Sequence, residues 1–312
     1  MNEAELVTRM RELFSSRIGD DAAVVDGQVM TADLLIEDID FLQSTPLPLV
    51  ARKSLAVNLS DLAAMGAAPS YALLSLGLPE WALERIDDML VAYAEASRQY
   101  GIEIVGGDLS LAAKLTIAVT AIGRVVTRSL LRNGAKPGDR LYLSRPVGAA
   151  AAGLSFVLRG VSGTSYAEKE FIASAIRRHQ DPEPEVALGL ALAAMPEVTA
   201  CIDVSDGLST DLHHLCDASG CGAEIEQARI PLFQDLQNHG PRLGISVRDA
   251  VLHGGEEFAL LFTSSLREAE LSTRLRRPVY AIGRMTKERS VLLKVDERSE
   301  SLAPGGFDHF RK

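Results

Sequence analysis

The stretch CIDVSDGLSTDLHHL, residues 201–215, joins a short apolar run to a helix-like pattern. The run up to Asp203 predicts a buried strand, and the pattern after Asp206 predicts a helix. With Asp211, three carboxylates fall at this junction, and no Lys or Arg lies among them. Because a strand that runs straight into a helix is typical of α/β architecture, the stretch predicts both a fold class and a charged site at one strand end.

The same alternation of strand and helix patterns extends along the whole chain, which predicts an α/β fold built from α+β layers. We expect strands at 28–36, 71–79, 102–108, 114–125, 139–144, 200–204 and 257–263, two more strands after residue 278, and helices at 49–66, 81–100, 147–158, 183–195 and 208–219. A length of 312 residues favours two domains. Since NGAKPGD at 133–139 is rich in turn-forming residues, we expect one domain over 1–134 and another over 135–312.

Composition and charge argue against several classes of function. The chain has 42 acidic and 32 basic residues, a formal net charge of −10, and such a surface repels nucleic-acid phosphates. No apolar run is long enough for a membrane span, so we expect a cytoplasmic protein that binds neither nucleic acid nor membrane. Cys201, Cys216 and Cys221 form no CxxC pair and have no His at zinc-finger spacing, which favours reduced thiols without zinc.

Carboxylates recur at five other places, each beside a glycine, near a strand end or inside an apolar helix. They are Asp20 with Asp21, Asp33, Asp61, Asp108, and Glu256 with Glu257, the last pair predicted to open a strand. Single members have simple explanations, since Ser205 or Asp206 can cap the helix that follows and an Asp beside Gly forms turns. Asp61 fits neither explanation, because its carboxylate lies at the border of a buried helix face, where an unpaired charge is costly.

Taken together, these carboxylates indicate a magnesium site. Two bare carboxylates about 4 Å apart repel each other by roughly 4 kcal/mol at an effective dielectric constant of ~20, so a cluster of them needs cations. Oxygen-only ligands favour Mg²⁺, and Mg²⁺ held by carboxylates typically presents a polyphosphate. The sequence has no Walker GxxxxGK[ST] motif, no strand-coupled GxGxxG, no HExxH and no GxSxG elbow, so we expect a metal–phosphate site without a P-loop.

Six motifs, in order along nearly the whole chain, resemble the thiamine-monophosphate kinase family, within the superfamily of aminoimidazole ribonucleotide synthetase. They are IGDDAAVV, ARKSLAVNLSDLAAMGAAP, VGGD, TRSLLRNGAKPGD, IDVSDGLSTDL and GGEEFALLFT. The resemblance implies an N-terminal α/β domain whose sheet joins that of a second copy in a homodimer barrel. It also implies a C-terminal domain with a mixed sheet covered by helices, and a cleft that binds ATP and Mg²⁺.

In this family a phosphoryl group passes directly from ATP to thiamine monophosphate, giving thiamine diphosphate. The matched positions imply Mg²⁺ ligands at Asp21, Thr31, Asp33, Asp61, Asp108, Asp203 and Asp206. They also imply ATP contacts at Gly107, Asp108, Arg128 and Ser205, with catalytic roles for Arg128, as a fixed cation, and for Asp206. Since the nucleophile would be an ionised phosphate oxygen, no catalytic base is needed, and transfer depends on alignment and electrostatics.

The acceptor half of the site departs from the family pattern. Where the family has VEGVHF this chain has IEDIDF, so Asp38 replaces a glycine and Asp40 replaces the histidine near the substrate. Glu256 matches a substrate-contacting position, and Pro304 stands where the family often has a Trp that stacks on thiamine. A kinase of this scaffold with a different small-molecule acceptor therefore stays open, as do an ATP-dependent ligase relative and a non-catalytic nucleotide-binding module.

Overall fold

The computed structural model describes residues 3–308. The predicted domains, 1–134 and 135–312, include residues 1–2 and 309–312, which lie outside the described residues. The described residues form two α/β units, each built on one mixed sheet. The first unit contains α1 Glu3–Leu13, β1 Ala23–Val25, β2 Gln28–Ile36, α2 Leu47–Ala64, β3 Ala67–Leu78, α3 Glu80–Leu83, α4 Ile86–Tyr100, β4 Glu103–Leu111 and β5 Thr116–Val125.

The second unit holds the rest of the described elements. Its first half contains β6 Arg140–Leu143, α5 Ala149–Arg159, α6 Tyr166–Gln180, α7 Val186–Ala193, β7 Val198–Asp203, α8 Leu208–Ser219 and β8 Gly222–Glu226. Its second half contains α9 Leu236–His239, α10 Val247–Leu252, β9 Leu260–Ser264, α11 Glu268–Leu275, β10 Tyr280–Thr286, β11 Val291–Val295 and β12 Arg298–Ser301, with 3-10 turns at Gln227–Arg229 and Pro241–Leu243.

The first sheet has the strand order β1-β2-β5-β3-β4, with β3 and β4 parallel and the other neighbours antiparallel. Alternate residues of β5, such as Ile117, Val119 and Ala121, are buried because they face α2. The sheet is open, with β1 and β4 at its edges. The predicted barrel is therefore not closed within one chain.

The second sheet has the strand order β12-β11-β8-β10-β6-β9-β7, in which β8 and β11 are parallel and the other neighbours antiparallel. Its central strands β6 and β9 are almost entirely buried. Helices α5, α6, α8 and α10 pack over the core that contains Phe156, Leu212 and Ile282. The edge strand β7 ends at Asp203, so the second sheet delivers this carboxylate to its own border.

Helix α2 joins the two units, and α7 also contacts β3 across them. Helix α2 contacts the first sheet and also α7 and β7 of the second unit, and most of its residues are buried, including Lys53, Asn58 and Ser60. The close approach to α7 needs a glycine, because a Cβ on Gly189 would lie 2.0 Å from the carbonyl oxygen of Ala63. Polar residues inside such a buried helix require partners, and those partners define the site below.

Most of the predicted elements are confirmed, with shifted ends. The strand at 28–36 and the helix at 208–219 have the predicted bounds, whereas the predicted helix at 81–100 divides into α3 and α4. Helix α6 and strand β8 were not predicted, although Ser165 and Glu168 form a capping box at the start of α6. The junction expected between residues 134 and 135 lies between β5 and β6 and stays a prediction. Among the helices within 3–308, none has the length and apolar character that a bilayer crossing requires.

Candidate active site

Three carboxylates from three different elements meet where the two units join. Asp21 lies just before β1, Asp61 in the last turn of α2, and Asp203 at the end of β7. One carboxylate oxygen of each lies within 4.8 Å of the others. We call these three residues the carboxylate cluster. It forms because α2 carries Asp61 from the first unit to the border of the second sheet.

Hydroxyl groups hold two members of the carboxylate cluster in place. Thr31 Oγ1 on β2 donates to Asp61 Oδ2 over 2.5 Å, and Ser60 Oγ donates to Asp203 Oδ2 over 2.6 Å. Asp33 follows Thr31 by two positions on β2, so its side chain leaves the same face of the sheet. The structure therefore brings five of the predicted Mg²⁺ ligands to one region. They are the three residues of the carboxylate cluster, Thr31 and Asp33.

Arg132 is the cation beside this cluster, and the sequence analysis did not single it out. Its Nη2 and Nε donate to Asp21 Oδ1 over 2.7 and 3.2 Å, and its amide donates to Asp20 Oδ1 over 3.2 Å. The side chain of Asp21 is 1% exposed and that of Arg132 is 22% exposed. The available sequence signal was its place four residues after Arg128 in the motif TRSLLRNG.

Burial and mutual repulsion raise the pKa values of the clustered carboxyl groups. Burial, followed by the charge of Asp21, raises the pKa of Asp203 to about 8. Burial and the neighbouring carboxylates raise the pKa of Asp61 well above its usual value. Burial, followed by the charge of Asp40, raises the pKa of Asp33 to about 6. Without a further cation, burial and repulsion therefore favour the protonated forms of these carboxyl groups.

The donor atoms of this region fit a divalent cation. Asp21 Oδ2 and Asp33 Oδ2 are buried and have no hydrogen-bond donor among residues 3–308. Carboxylate and hydroxyl oxygens are the ligands that Mg²⁺ prefers in proteins. Arg132 supplies one positive charge against the three clustered carboxylates and Asp33, so a bound Mg²⁺ would complete both the charge balance and the coordination of the unsatisfied oxygens.

A second group of ionisable residues, Asp206, Asp211 and His214, surrounds the turn between β7 and α8. Asp211 Oδ2 accepts hydrogen bonds from the amides of Asp206 and Gly207 over 3.2 and 3.0 Å. The cap of α8 is Gly207, without a side-chain capping bond, so neither Ser205 nor Asp206 has the capping role that we considered, and Asp211 in the first turn of α8 instead holds the turn before the helix. The metal-binding and catalytic roles of Asp206 stay predictions.

Arg128 uses its guanidinium group differently from what we expected. Its Nη2 donates to the backbone carbonyls of Met195 and Val198 over 2.7 and 2.6 Å. These bonds fasten the segment after β5 to the loop between α7 and β7. Arg128 therefore makes contacts that hold the backbone, whereas Arg132 lies beside the carboxylate cluster.

Gly107 and Asp108 lie on the edge strand β4, opposite Leu74 and Ser75 of β3. Gly107 has a φ of 151°, and a Cβ there would lie 1.8 Å from the carbonyl oxygen of Leu74, so the position requires glycine. Asp108 is exposed and does not belong to the carboxylate cluster. Its role as a Mg²⁺ ligand, and the ATP contacts of both residues, stay predictions.

Glu256 lies in the segment before β9, whereas we predicted that it and Glu257 open the strand, which begins at Leu260. Its φ is 60°, and its amide donates to the carbonyl oxygen of Ser205 over 2.7 Å. Lys53 Nζ lies 2.5 Å from Oε1, and His179 Nδ1 lies 2.8 Å from Oε2. Burial by itself raises the pKa of Glu256, but these two neighbours outweigh it and lower the pKa to about 2.

Asp40 lies in the turn that follows β2. Its Oδ2 accepts a hydrogen bond from the amide of Ile36 over 2.7 Å, and its carbonyl oxygen accepts one from Lys53 Nζ over 3.2 Å. The buried ammonium of Lys53 thus contacts both Asp40 and Glu256. The structure brings these two predicted acceptor residues together through a lysine that the sequence analysis did not consider.

The C-terminal segment packs against the start of α8. The amides of Gly305 and Gly306 donate to the hydroxyls of Ser209 and Thr210, over 3.2 and 3.0 Å. Pro304 is exposed, and the amide of Phe307 donates to Asp206 O over 3.0 Å. The side chain of Phe307 is 56% exposed. The backbone of an aromatic residue is therefore fixed beside the Asp206 turn, in a chain that has no Trp near its C-terminus.

Comparisons with known proteins agree with this architecture. Residues 19–125 match the N-terminal domain of the AIR synthase related proteins, and residues 136–296 match their C-terminal domain. The chain is 35% identical to thiamine-monophosphate kinase of Bacillus subtilis (strain 168) over 310 residues, which cover 94% of this chain and 93% of the relative. It is 34% identical to the protein of that name from Escherichia coli (strain K12), with 94% and 91% covered. The solved structure of AaThiL complexed with AMPPCP and TMP has a TM-score of 0.87 and 30% identity, with 99% and 97% covered.

Proposed function

The chain belongs to the thiamine-monophosphate kinase family of AIR synthase related proteins, and we propose from this premise that it transfers a phosphoryl group from ATP to thiamine monophosphate. The product is thiamine diphosphate. The relatives matched along nearly the whole chain carry this kinase name, and AaThiL was solved with AMPPCP and TMP. The observation that carries the proposal is the carboxylate cluster together with the unsatisfied oxygens of Asp21 and Asp33.

We assign Mg²⁺ to the carboxylate cluster. The proposed ligands are Asp21, Thr31, Asp33, Asp61 and Asp203, completed by Asp108 and Asp206. When bound, Mg²⁺ supplies the positive charge that neutralises the phosphate oxygens during transfer. The protein contributes by holding these side chains in position, as the Thr31 and Ser60 hydroxyls do for Asp61 and Asp203. Preorganised ligands avoid a cost of rearrangement during the reaction.

The ATP phosphates are proposed to lie between the two units, in contact with Gly107, Asp108 and Ser205. Gly107 is exposed on the edge strand β4, and its lack of a Cβ allows this strand to pack closely on Leu74 of β3. We assign the fixed cation of the site to Arg132 in place of Arg128, because Arg132 lies beside Asp21 while Arg128 donates to backbone carbonyls. A guanidinium stays charged throughout the physiological pH range, so it stabilises the charge of the transferred group.

Thiamine monophosphate is proposed to lie beside Glu256 and Asp40. Its thiazolium ring is cationic, and the low pKa of Glu256 keeps an anion on that side of the site. A cation is attracted both to carboxylates and to aromatic faces. For this reason we propose Phe307, beside Pro304, as the residue that presents an aromatic face to the acceptor. Since the acceptor phosphate is already ionised, the chain needs no general base for the transfer.

We also propose that two copies form a homodimer through β4, which would close the barrel implied by the resemblance. Val105, Leu109 and Leu111 on this edge strand are 52, 70 and 72% exposed. An exposed apolar edge strand invites pairing with another chain, so a second copy would cover it. A cytoplasmic location is part of the proposal, because the cytoplasm supplies ATP and keeps thiols such as the three buried cysteines reduced.

An assay of ADP release tests the proposed function. The purified protein is given ATP and Mg²⁺ with thiamine monophosphate, thiamine or other small phosphates, and the products are identified by chromatography. We expect ADP and thiamine diphosphate in equal amounts with thiamine monophosphate only. Turnover with another acceptor would favour the kinase with a changed acceptor, and free phosphate with a new C–N bond would indicate a ligase. Binding of ATP without any turnover would contradict an enzymatic function.

A further inference from the structure

Lys53 is a buried cation that the proposed reaction does not use directly. It lies on α2, eight residues before Asp61, and its side chain is 3% exposed. A buried ammonium is stable only when it is paired and hydrogen-bonded. Its partners are Glu256 Oε1 at 2.5 Å and the carbonyl oxygen of Asp40 at 3.2 Å. Both partners belong to the acceptor half of the proposed site, and they come from different units.

The contacts of Glu256 show that its side chain is held from two sides. Lys53 contacts one carboxylate oxygen and His179 on α6 the other. The backbone of Glu256 adopts a left-handed conformation, which is uncommon for a residue with a side chain, so its position depends on surrounding contacts. The side chain remains 31% exposed. Both carboxylate oxygens thus have a protein partner, although the side chain as a whole is not fully enclosed.

The Asp40 turn is held by the same ammonium. Asp40 Oδ2 accepts from the amide of Ile36 and closes the turn, and its carbonyl oxygen points to Lys53. Replacing Lys53 would therefore remove one contact from each of two acceptor residues at once.

We propose that Lys53 is a positioning residue for the acceptor, which fixes Glu256 and the Asp40 turn relative to each other so that thiamine monophosphate binds in one orientation. This inference rests on the proposed function. Lys53 itself lies behind the two residues and does not touch the substrate. The role is specific to the acceptor, whereas a purely structural role would affect both substrates alike.

The test compares Michaelis constants for the two substrates in Lys53→Met, which removes the charge and keeps the side-chain length. We expect the KM for thiamine monophosphate to rise about tenfold or more, as for other losses of a charged hydrogen bond, while the KM for ATP stays within about twofold. Lys169→Met is the matched control, because Lys169 is exposed on α6. Equal rises in both KM values, or an unchanged acceptor KM in a folded protein, would overturn the inference.

A double-mutant cycle with Glu256→Gln separates positioning from general destabilisation. If Lys53 acts partly through Glu256, Lys53→Met/Glu256→Gln raises the acceptor KM by less than the product of the two single rises, and the remaining effect of Lys53→Met reflects the Asp40 turn. The double variant also removes both buried charges, so it keeps the test open if Lys53→Met does not fold. A rise equal to the product of the two single rises contradicts the inference. Absence of turnover in the wild type would instead overturn the proposed function, and this inference with it.

Discussion

Ser60 on α2 donates a 2.6 Å hydrogen bond to Asp203 at the end of β7. This single contact connects the helix of the first unit to the edge strand of the second, directly beside Asp61. Because both atoms are buried, the bond fixes the position of the carboxylate cluster relative to both sheets. The candidate active site therefore depends on how the two units pack against each other.

Asp61→Asn is expected to abolish Mg²⁺-dependent turnover and leave the fold intact. The change removes a carboxylate from the cluster but keeps its shape, and it relieves the repulsion that raises the pKa of this group. Calorimetry is expected to show loss of Mg²⁺ binding, with circular dichroism unchanged. Asp87→Asn, on the exposed first turn of α4, serves as the control. Wild-type activity in Asp61→Asn would exclude a metal role for this residue.

The stability of the protein in EDTA is expected to fall between pH about 4 and about 8. Burial, followed by neighbouring charges, raises the pKa of Asp203 to about 8 and that of Asp33 to about 6. In this window the folded state therefore binds more protons than the unfolded chain, so the free energy of unfolding decreases as the pH rises. Thermal unfolding along a pH series measures the loss. Saturating Mg²⁺ should restore more stability at pH 8 than at pH 5, and a Tm in EDTA that rises through this range would contradict the prediction.

Arg132→Gln is expected to reduce activity, whereas Arg128→Gln is expected to reduce stability. Arg132→Gln removes the cation beside Asp21, so kcat/KM for ATP should fall by about 100-fold or more. Arg128→Gln removes two hydrogen bonds to backbone carbonyls, so the Tm should fall while kcat/KM changes little. Steady-state kinetics and thermal unfolding of both variants decide the assignment. A larger kinetic loss in Arg128→Gln would restore the role first expected for that residue.

Gly107→Ala is expected to destabilise the protein far more than Gly101→Ala. A Cβ at Gly107 would lie 1.8 Å from the carbonyl oxygen of Leu74, so β4 would have to separate from β3. Gly101 also has a positive φ, 66°, but a Cβ there meets nothing within 4 Å, so its cost is the backbone term of about 1 kcal/mol. Denaturant unfolding of both variants gives the comparison, and equal losses would show that the β3–β4 contact tolerates a side chain.

Leu109→Glu is expected to convert the proposed homodimer to a monomer. Leu109 is 70% exposed on the edge strand β4, where a charge would be buried on pairing with a second copy. Light scattering after size-exclusion chromatography measures the mass. Leu158→Glu, at a 62% exposed position on α5, is the control and should leave the mass unchanged. A wild-type protein that is monomeric at micromolar concentration would contradict the dimer.

The sequence predicted the framework of the fold better than the contacts of the site. Period-two and helical patterns located β2, α2 and α8 well, since these elements bury regular apolar faces. Helix α6 was missed even though Ser165 and Glu168 mark its start and Phe171, Ile172 and Ala175 follow at helical spacing, so the sequence carried a signal for this helix. The strand predicted from Glu256 begins only at Leu260, since Glu256 and Phe258 adopt positive φ values that pattern reading does not detect.

Within the site, the sequence indicated which residue types matter, and the structure showed which of them meet. Asp21, Asp61 and Asp203 are separated by up to 182 positions in the chain, and their proximity depends on the packing of α2 against β7. Arg132 and Lys53 escaped the sequence analysis for the same reason, because a cation is recognised as a partner only when its carboxylate is near. The spacing of residues along the sequence does not give the distance between their side chains in the fold.

Helix α2 carries both Lys53, behind the acceptor residues, and Asp61, in the carboxylate cluster. Eight residues of α-helix span about 12 Å, and the burial of α2 on nearly all sides leaves it little freedom to bend. The length of α2 thus sets the distance between the residues proposed to bind the acceptor and the proposed site of phosphoryl transfer. We therefore expect the protein to discriminate between acceptors by the distance from their cationic ring to their phosphate. The chemistry of the ring alone would not give this selectivity.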